Sequence, residues 1–487
     1  MRRPAFRTAP AFIFLARWPR PSTLVPMDNP LLRAWRSLVA EAPGEAAVTE
    51  ALAGRTWTRG ELAAGAARMA AVFRTQVPKP SRRRIALALP NGAAWFEAFI
   101  GLLEADAVPV PIDPSEPEAA QIEAARFTGA THFWRDSRFE SVPGSRHRAT
   151  ERPLCLVKLT SGSTGKAKGL PATFGQMEAD GRQICATMGI LPGDSNLATI
   201  PLGYSYGLGN LVVPLLLQGT RVICASSPLP HALAENARTY RPTLLPTVPP
   251  ILKALAASEL PKGCMESVRL VISAGSPLDP KVAQAFRARF GIRIHGFYGA
   301  SETGGIAYDR SGAATLEGRG VGTALEGVRL QIGARGHLTV SSRAVLGRGV
   351  FSPADRVAMN AHGELVLLGR ADRAVKLAGR RVDLAEVERV IRSLEGVADC
   401  YVDAHPGGAS AIAAAVVGGA PPAAIRSALR LRLASWKVPA RILVFAQFPV
   451  TARGKTDFAA LRQALSAPRT ATSISTLSAD RQIAARR

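Results

Sequence analysis

Between residues 84 and 112 the hydrophobic pattern changes period twice. Arg84–Leu89 alternates and then turns apolar, Pro90-Asn91-Gly92 reads as a turn, Ala93–Glu104 has helical spacing, and Val108–Ile112 is apolar again. A strand, a helix and a strand with short joints predict a parallel β–α–β crossover. The same grammar returns downstream. Arg221–Cys224 precedes the helical His231–Tyr240, Val268–Ser273 precedes the helical Pro280–Phe290, and Ile292–Phe297 reads as a further strand. No internal repeat is evident. The pattern predicts an α/β architecture, with ligand sites at loops leaving the strand ends.

Ser195–Thr220 carries no charge across 26 positions. Pro201, Gly203, Gly207, Gly209 and Pro214 interrupt it, and polar side chains lie inside it, so it reads as a buried loop and helix lining an apolar cavity rather than a membrane span. The whole chain, 487 residues with 47% hydrophobic and 20% charged, is long enough for two or more domains and reads as globular. Its five cysteines are scattered and never spaced Cys-x-x-Cys, which predicts reduced thiols in a cytoplasmic setting without a zinc site. The net charge of +24 is spread along the chain. Composition explains that excess better than a nucleic-acid site does, and peripheral contact with a membrane surface stays open. Residues 1–26 hold five arginines and no acid, and read as a basic extension or an over-extended start before Met27; the polar tail 467–487 reads as disordered.

Chemistry concentrates in four stretches. Thr160–Gly169, Thr-Ser-Gly-Ser-Thr-Gly-Lys-Ala-Lys-Gly, follows the apolar run Leu154–Leu159. Glycines let backbone N–H groups approach oxygens, hydroxyls add donors, and Lys166 and Lys168 add positive charge. That suits a mobile polyphosphate-wrapping loop, although a flexible linker has the same composition. The spacing is not that of a Walker loop. His295–Gly305 places the acid Glu302, read as exposed, beside a hydroxyl and an aromatic. That combination suits a divalent cation and a stacked base, or an ordinary turn. In Phe351–Val387, Asp355 follows a strand-like stretch, Gly369-Arg370-Ala371-Asp372 reads as a turn, and an amphipathic helix covers Leu384–Ser393. Finally, Lys455 sits on a glycine turn near the C-terminus.

In this order and spacing the four stretches resemble the adenylate-forming superfamily of acyl-CoA synthetases, amino-acid adenylation domains and luciferases. The resemblance spans roughly residues 28–466. It implies a large α/β domain over 27–370 and a small, mobile α+β domain over 371–466. It also implies that Thr160, Ser161, Gly162, Ser163, Thr164, Gly165 and Lys168 hold the β- and γ-phosphates of ATP, with Ala167 in place of the usual proline. By the same resemblance Gly275, Ser276 and Pro277 line the adenine pocket, Tyr298 packs on adenine with Gly299 in the same nucleotide-binding motif, Ser301 meets the α-phosphate, and Glu302 helps bind Mg²⁺. Asp355 and Arg370 match the ribose-holding residues, although the usual Thr-Gly-Asp is Pro353-Ala354-Asp355 here. Asp372 falls at the hinge, Lys455 reaches the α-phosphate during adenylation, and Lys376 and Gly379 belong to the face presented in the second half-reaction.

The implied activity is ATP-dependent conversion of a small carboxylic acid to an acyl adenylate, followed by transfer to a thiol. The stretch Pro201–Asn210 lacks the aspartate of amino-acid-activating members, which disfavours amino acids. Tyr204 stands where many acyl-CoA ligases have histidine, and Gly207 and Gly209 leave room for a chain or ring, so a fatty or aryl acid is expected. Trp436-Lys-Val-Pro439 resembles the Tyr-Lys-Val-Pro of acyl-CoA ligases and favours CoA over a carrier protein. A degenerate nucleotide-binding relative without turnover is the alternative of a different kind.

Overall fold

The computed structural model describes residues 29–77, 82–135, 138–145, 153–161, 167–370, 374–377, 380–404, 412–450 and 456–467. Among them a nine-stranded sheet organises the larger part of the chain. Its centre is parallel. Ala46–Glu50, Arg221–Cys224, Ser195–Ala198, Leu244–Thr247, Leu270–Ser273 and Ile294–Ala300 lie side by side in that order. Of the four middle strands, three are buried along their whole length and Arg221–Cys224 at all but Arg221, which is why these segments read as short apolar runs rather than alternating ones. The antiparallel strands Arg55–Thr58, Gly304–Tyr308 and Thr323–Ala324 close the two edges.

The predicted crossover is present in a second sheet. Val108–Pro111, Arg84–Leu87 and Ala130–Arg135 are parallel, and Arg138–Ser141 returns as a hairpin. The helix Ala93–Glu104 buries nearly all its length, including Trp95 stacked on Phe99 at 4.9 Å between ring centroids. Burial of such an aromatic stabilises by about 1.5–3 kcal/mol. It shares a core with Leu208, Leu211 and Leu215 of the uncharged stretch. That stretch therefore lies inside the protein, and no helix among the described residues is long and apolar enough to cross a membrane.

Near the C-terminus, Val397–Ala404, Ile412–Gly418 and Arg441–Phe445 form a separate three-stranded sheet. The helix Leu384–Arg392 lays Leu384, Val387 and Ile391 into a core with Val402, Val416 and Leu429. The chain is thus α/β with a smaller α+β part, as expected.

Two local expectations change. Thr160 and Ser161 end the strand Leu156–Ser161, and Lys168 lies in Ala167–Ala172, its antiparallel partner, so both ends of the ten-residue loop are strand. Gly369 and Arg370, expected in a turn, close the strand Leu365–Arg370. The pairing with Asp355–Met359 draws them into register, and Gly369 adopts φ +115° where a Cβ would strike Ala385 Cβ at 2.4 Å.

Candidate active site

The strand Ile294–Ala300 begins beside Leu270–Ser273, runs past its end, and turns back at once as Gly304–Tyr308. So tight a reversal requires glycine. A Cβ on Gly299 would stand 2.6 Å from the Gly304 carbonyl oxygen. Thr303 stabilises the turn by accepting the Ala300 N–H at 3.3 Å. The loop 298–302 is therefore held in place, and it makes contacts on two sides. Tyr298 Oη donates to Asp355 Oδ2 at 2.8 Å, and Asp355 lies directly across from Arg370 in its hairpin. On the other side, Ser205 Oγ donates to Ser301 Oγ at 2.9 Å. Glu302 is half-buried rather than exposed, and its carbonyl accepts the Leu346 N–H at 2.8 Å. Gly275, with φ +88°, and the exposed Ser276 and Pro277 follow the neighbouring strand end.

Ser205 belongs to the segment Pro201–Asn210, which distant residues fix. The Asn91 side chain donates to the Ile200 carbonyl at 2.8 Å and accepts the Leu202 N–H at 3.0 Å. Tyr204 Oη donates to the Asp113 carboxylate, and both line a cleft of about 250 Å³ with Asn91, Trp95 and Pro201. Tyr206 Oη donates to the Ile272 carbonyl at 3.0 Å, and its burial raises its pKa well above the ordinary tyrosine value. The two glycines differ. A Cβ on Gly207 would meet the Pro201 carbonyl oxygen at 2.0 Å, so its smallness serves backbone packing. A Cβ on Gly209 would meet Ile184 and the Asp180 carboxylate.

Asp180 and Lys158 had no place in the sequence reading. Asp180 sits mid-helix in Phe174–Met188, which begins with a reciprocal Thr173–Gln176 capping box and ends at Gly189 in the left-handed conformation. Its Oδ1 accepts the Gly305 N–H at 2.9 Å, which ties the helix to the strand after Glu302. Burial raises its pKa, against the pull of Lys158 and the Gly305 N–H. Lys158 lies mid-strand in Leu156–Ser161 at 2% exposure. Burial lowers its pKa, opposed first by Asp180 and more weakly by Cys155 and Glu302. The available signal was a lysine inside an otherwise apolar strand.

Gly162, Ser163, Thr164, Gly165, Lys166, Asp372, Gly379 and Lys455 lie outside the described residues. Lys376 falls on the strand Ala374–Leu377. The donor set that is described fits a nucleotide. An aromatic face bonded to a carboxylate at 2.8 Å suits a ribosyl purine, and the ring offers a stacking surface. Among the described residues no group of three or more His, Cys, Asp or Glu could hold a metal ion. The one carboxylate of Glu302 fits a Mg²⁺ that takes its remaining ligands from phosphate and water.

A family model described as AMP-binding enzyme matches residues 35–135 and 121–340, and one described as the AMP-binding enzyme C-terminal domain matches 386–455. A feruloyl-CoA synthase from an Amycolatopsis species is 27% identical over 82% of this chain and 92% of its own length. The probable non-canonical nonribosomal peptide synthetase CymA of Salinispora arenicola is 28% identical over 77% of this chain, which spans only 5% of that protein. Among solved structures, ATP-bound MatB from Rhodopseudomonas palustris superposes with a TM-score of 0.77 at 20% identity, covering 90% of this chain and 98% of that one. The last likeness is one of fold.

Proposed function

The chain belongs to the AMP-binding enzyme family, within the adenylate-forming superfamily, and is an AMP-forming acid–thiol ligase; from that premise we propose that it activates a fatty or aryl carboxylic acid with ATP and passes the acyl group to a thiol, CoA before a carrier protein. One observation carries this reading. The loop 298–302 bonds to Asp355 through Tyr298 and to the segment 201–210 through Ser301, so a single turn faces both a nucleotide side and an acid side.

The chemistry joins two anions. The acid's carboxylate oxygen attacks the α-phosphorus of ATP, a new P–O bond forms, and the bond to the leaving pyrophosphate breaks. Tyr298 orients Asp355, which with Arg370 holds the ribose, and Ser301 donates toward the α-phosphate. Lys455 offsets charge on the phosphoryl oxygens in transit. Mg²⁺, when bound beside Glu302, supplies charge neutralisation on the phosphates. Rotation at Asp372 then withdraws Lys455 and presents the face of Lys376 and Gly379 with a thiol. The thiolate attacks the acyl carbon, the C–S bond forms, and AMP leaves. The matched feruloyl-CoA synthase favours an aryl acid and CoA; the matched peptide synthetase is what keeps a carrier thiol as the second reading.

Pyrophosphate release with ATP and Mg²⁺ across fatty, aryl and amino acids, with and without CoA, tests it. Acid-dependent release is expected, and CoA raises turnover if CoA is the acceptor. No release from a protein that still binds ATP supports a degenerate relative instead. In the same assay Lys455→Ala cuts adenylation by about 100- to 1,000-fold, while a pre-formed acyl adenylate still yields thioester. Equal loss in both half-reactions contradicts domain alternation.

A further inference from the structure

Lys158 and Asp180 are two buried ionisable side chains that the proposed mechanism does not use. Lys158 is 2% exposed and Asp180 3%. The Lys158 ammonium has no hydrogen-bond or ion-pair partner among the described residues, and Asp180 has one, the Gly305 N–H on Oδ1. Burying charge this way costs several kcal/mol unless something satisfies it. The two side chains attract each other electrostatically, yet no hydrogen bond or ion pair within 4.0 Å joins this donor and this acceptor.

Glycines border the Asp180 carboxylate on two sides. A Cβ on Gly304 would stand 2.2 Å from Asp180 Oδ1, and one on Gly209 would stand 3.3 Å from Oδ2. Gly209 lies in the segment assigned to the acid, and Gly304 lies two residues after Glu302. The carboxylate thus faces the acid side of the loop 298–302.

We propose that Lys158 and Asp180 bind a hydroxyl group on the distal part of the acid, the lysine donating to its oxygen and the aspartate accepting its hydrogen. A hydroxyl is the smallest group that accepts and donates at once. A hydrocarbon end leaves both charges unsatisfied. A substrate ammonium pairs with Asp180 but meets the charge of Lys158. A second carboxylate pairs with Lys158 but meets Asp180 and Glu302, both of which act on that lysine. The substrate class is therefore a hydroxylated aryl or aliphatic carboxylic acid. This rests on the reading of Gly209 and the 201–210 segment as the acid's side of a ligase.

The test uses the full chain, with pyrophosphate release measured on matched acids: benzoate against its 2-, 3- and 4-hydroxy isomers, octanoate against 8-hydroxyoctanoate, and 4-(aminomethyl)benzoate and terephthalate as the ammonium-bearing and dicarboxylic arms. A hydroxylated member is expected to exceed its parent in kcat/KM by about 100-fold, because a site built to hydrogen-bond a hydroxyl rejects the analogue without one. The aryl and aliphatic pairs say which skeleton carries it. Lys158→Met and Asp180→Asn should each collapse that ratio to within about 5-fold while the KM for ATP holds, a split that a purely structural role does not produce. The wild-type panel decides even if a variant fails to fold. Parents and hydroxy acids used equally well, or preference for the amino or dicarboxylic acid, overturns the inference and leaves the ligase reading standing. No release with any of the acids strikes the ligase reading, and the inference falls with it.

Discussion

Asp180 and Asp194 are both buried carboxylates in the same part of the chain, and their surroundings could hardly differ more. Asp194 accepts from the Leu191 N–H at 2.7 Å, Thr243 Oγ1 at 2.7 Å, Arg269 Nε at 2.9 Å and Arg269 Nη2 as well. Those groups stand at the starts of three neighbouring strands, and the carboxylate ties them together. Burial works against its charge, but Arg269 and the other donors hold its pKa below the usual carboxylate value. Asp180 has a single donor, and burial wins there, so its pKa is raised. A carboxylate whose lone pairs are filled by the protein is structural. One left short of donors, beside a lysine with no hydrogen-bond partner among the described residues, is arranged for something else to fill.

The comparison breaks first at Asp194. Asp194→Ala leaves Arg269 and Thr243 without their acceptor and should cost about 3 kcal/mol in urea unfolding at neutral pH. Because the folded pKa of Asp194 is depressed, its stabilisation is present above the unfolded carboxylate pKa, near 3.9, and is lost as pH falls through the folded value. The gap between Asp194→Asn and the parent should therefore narrow in acid. A gap of the same size at pH 3 and pH 7 assigns the effect to packing and removes the contrast.

Asp180 should behave in the opposite sense. Replacing both buried charges, Lys158→Met with Asp180→Asn, keeps the volumes and leaves an acceptor for the Gly305 N–H. Stability at neutral pH should stay level or rise by about 1–2 kcal/mol, since the desolvation of both charges is relieved. The raised Asp180 pKa makes its cost appear as pH rises through the folded value, so that share of the gain fades in acid. The Lys158 share persists, because a lysine with a lowered pKa is penalised wherever it is protonated. A loss above about 1 kcal/mol identifies a structural pair instead.

How far each site could be read from sequence follows from where its partners lie. Tyr298, Gly299, Ser301 and Glu302 are adjacent in the chain, and the turn that displays them demands glycine locally, so the motif and its geometry appear together. Asp355 and Arg370 face each other because a hairpin pairs them, a relation that spacing suggests and register completes. Lys158, Asp180 and Gly305 come from a strand, a helix and a sheet edge. No short-range periodicity records that they meet. Asp180 carries no local signal of its burial, and Lys158 disappears inside an apolar run. Tyr204 was legible as a departure from a family pattern, while its partner Asp113 lies 91 residues away in sequence. Local rules found some of the strands and helices; the order of nine strands in one sheet required the contacts themselves.

The smallest expected effect belongs to Tyr298, which holds a middle position in the comparison. Its bond to Asp355 pairs a carboxylate within the protein, as at Asp194, yet the pair is placed to meet a ligand, as at Asp180. Tyr298→Phe removes one hydrogen bond to a charged group and keeps the ring's stacking face, so the loss should be about 1–1.5 kcal/mol. If the bond orients Asp355 toward a ribose, the KM for ATP rises about 5- to 10-fold while the ranking of acids is unchanged and the unfolding midpoint barely moves. A fall in stability with an unaltered KM places Tyr298 with Asp194, as a brace between the loop and the hairpin. A shift in acid ranking instead contradicts the division of the loop 298–302 into a nucleotide side and an acid side, because that division requires the bonds made by Tyr298 and Ser301 to act separately.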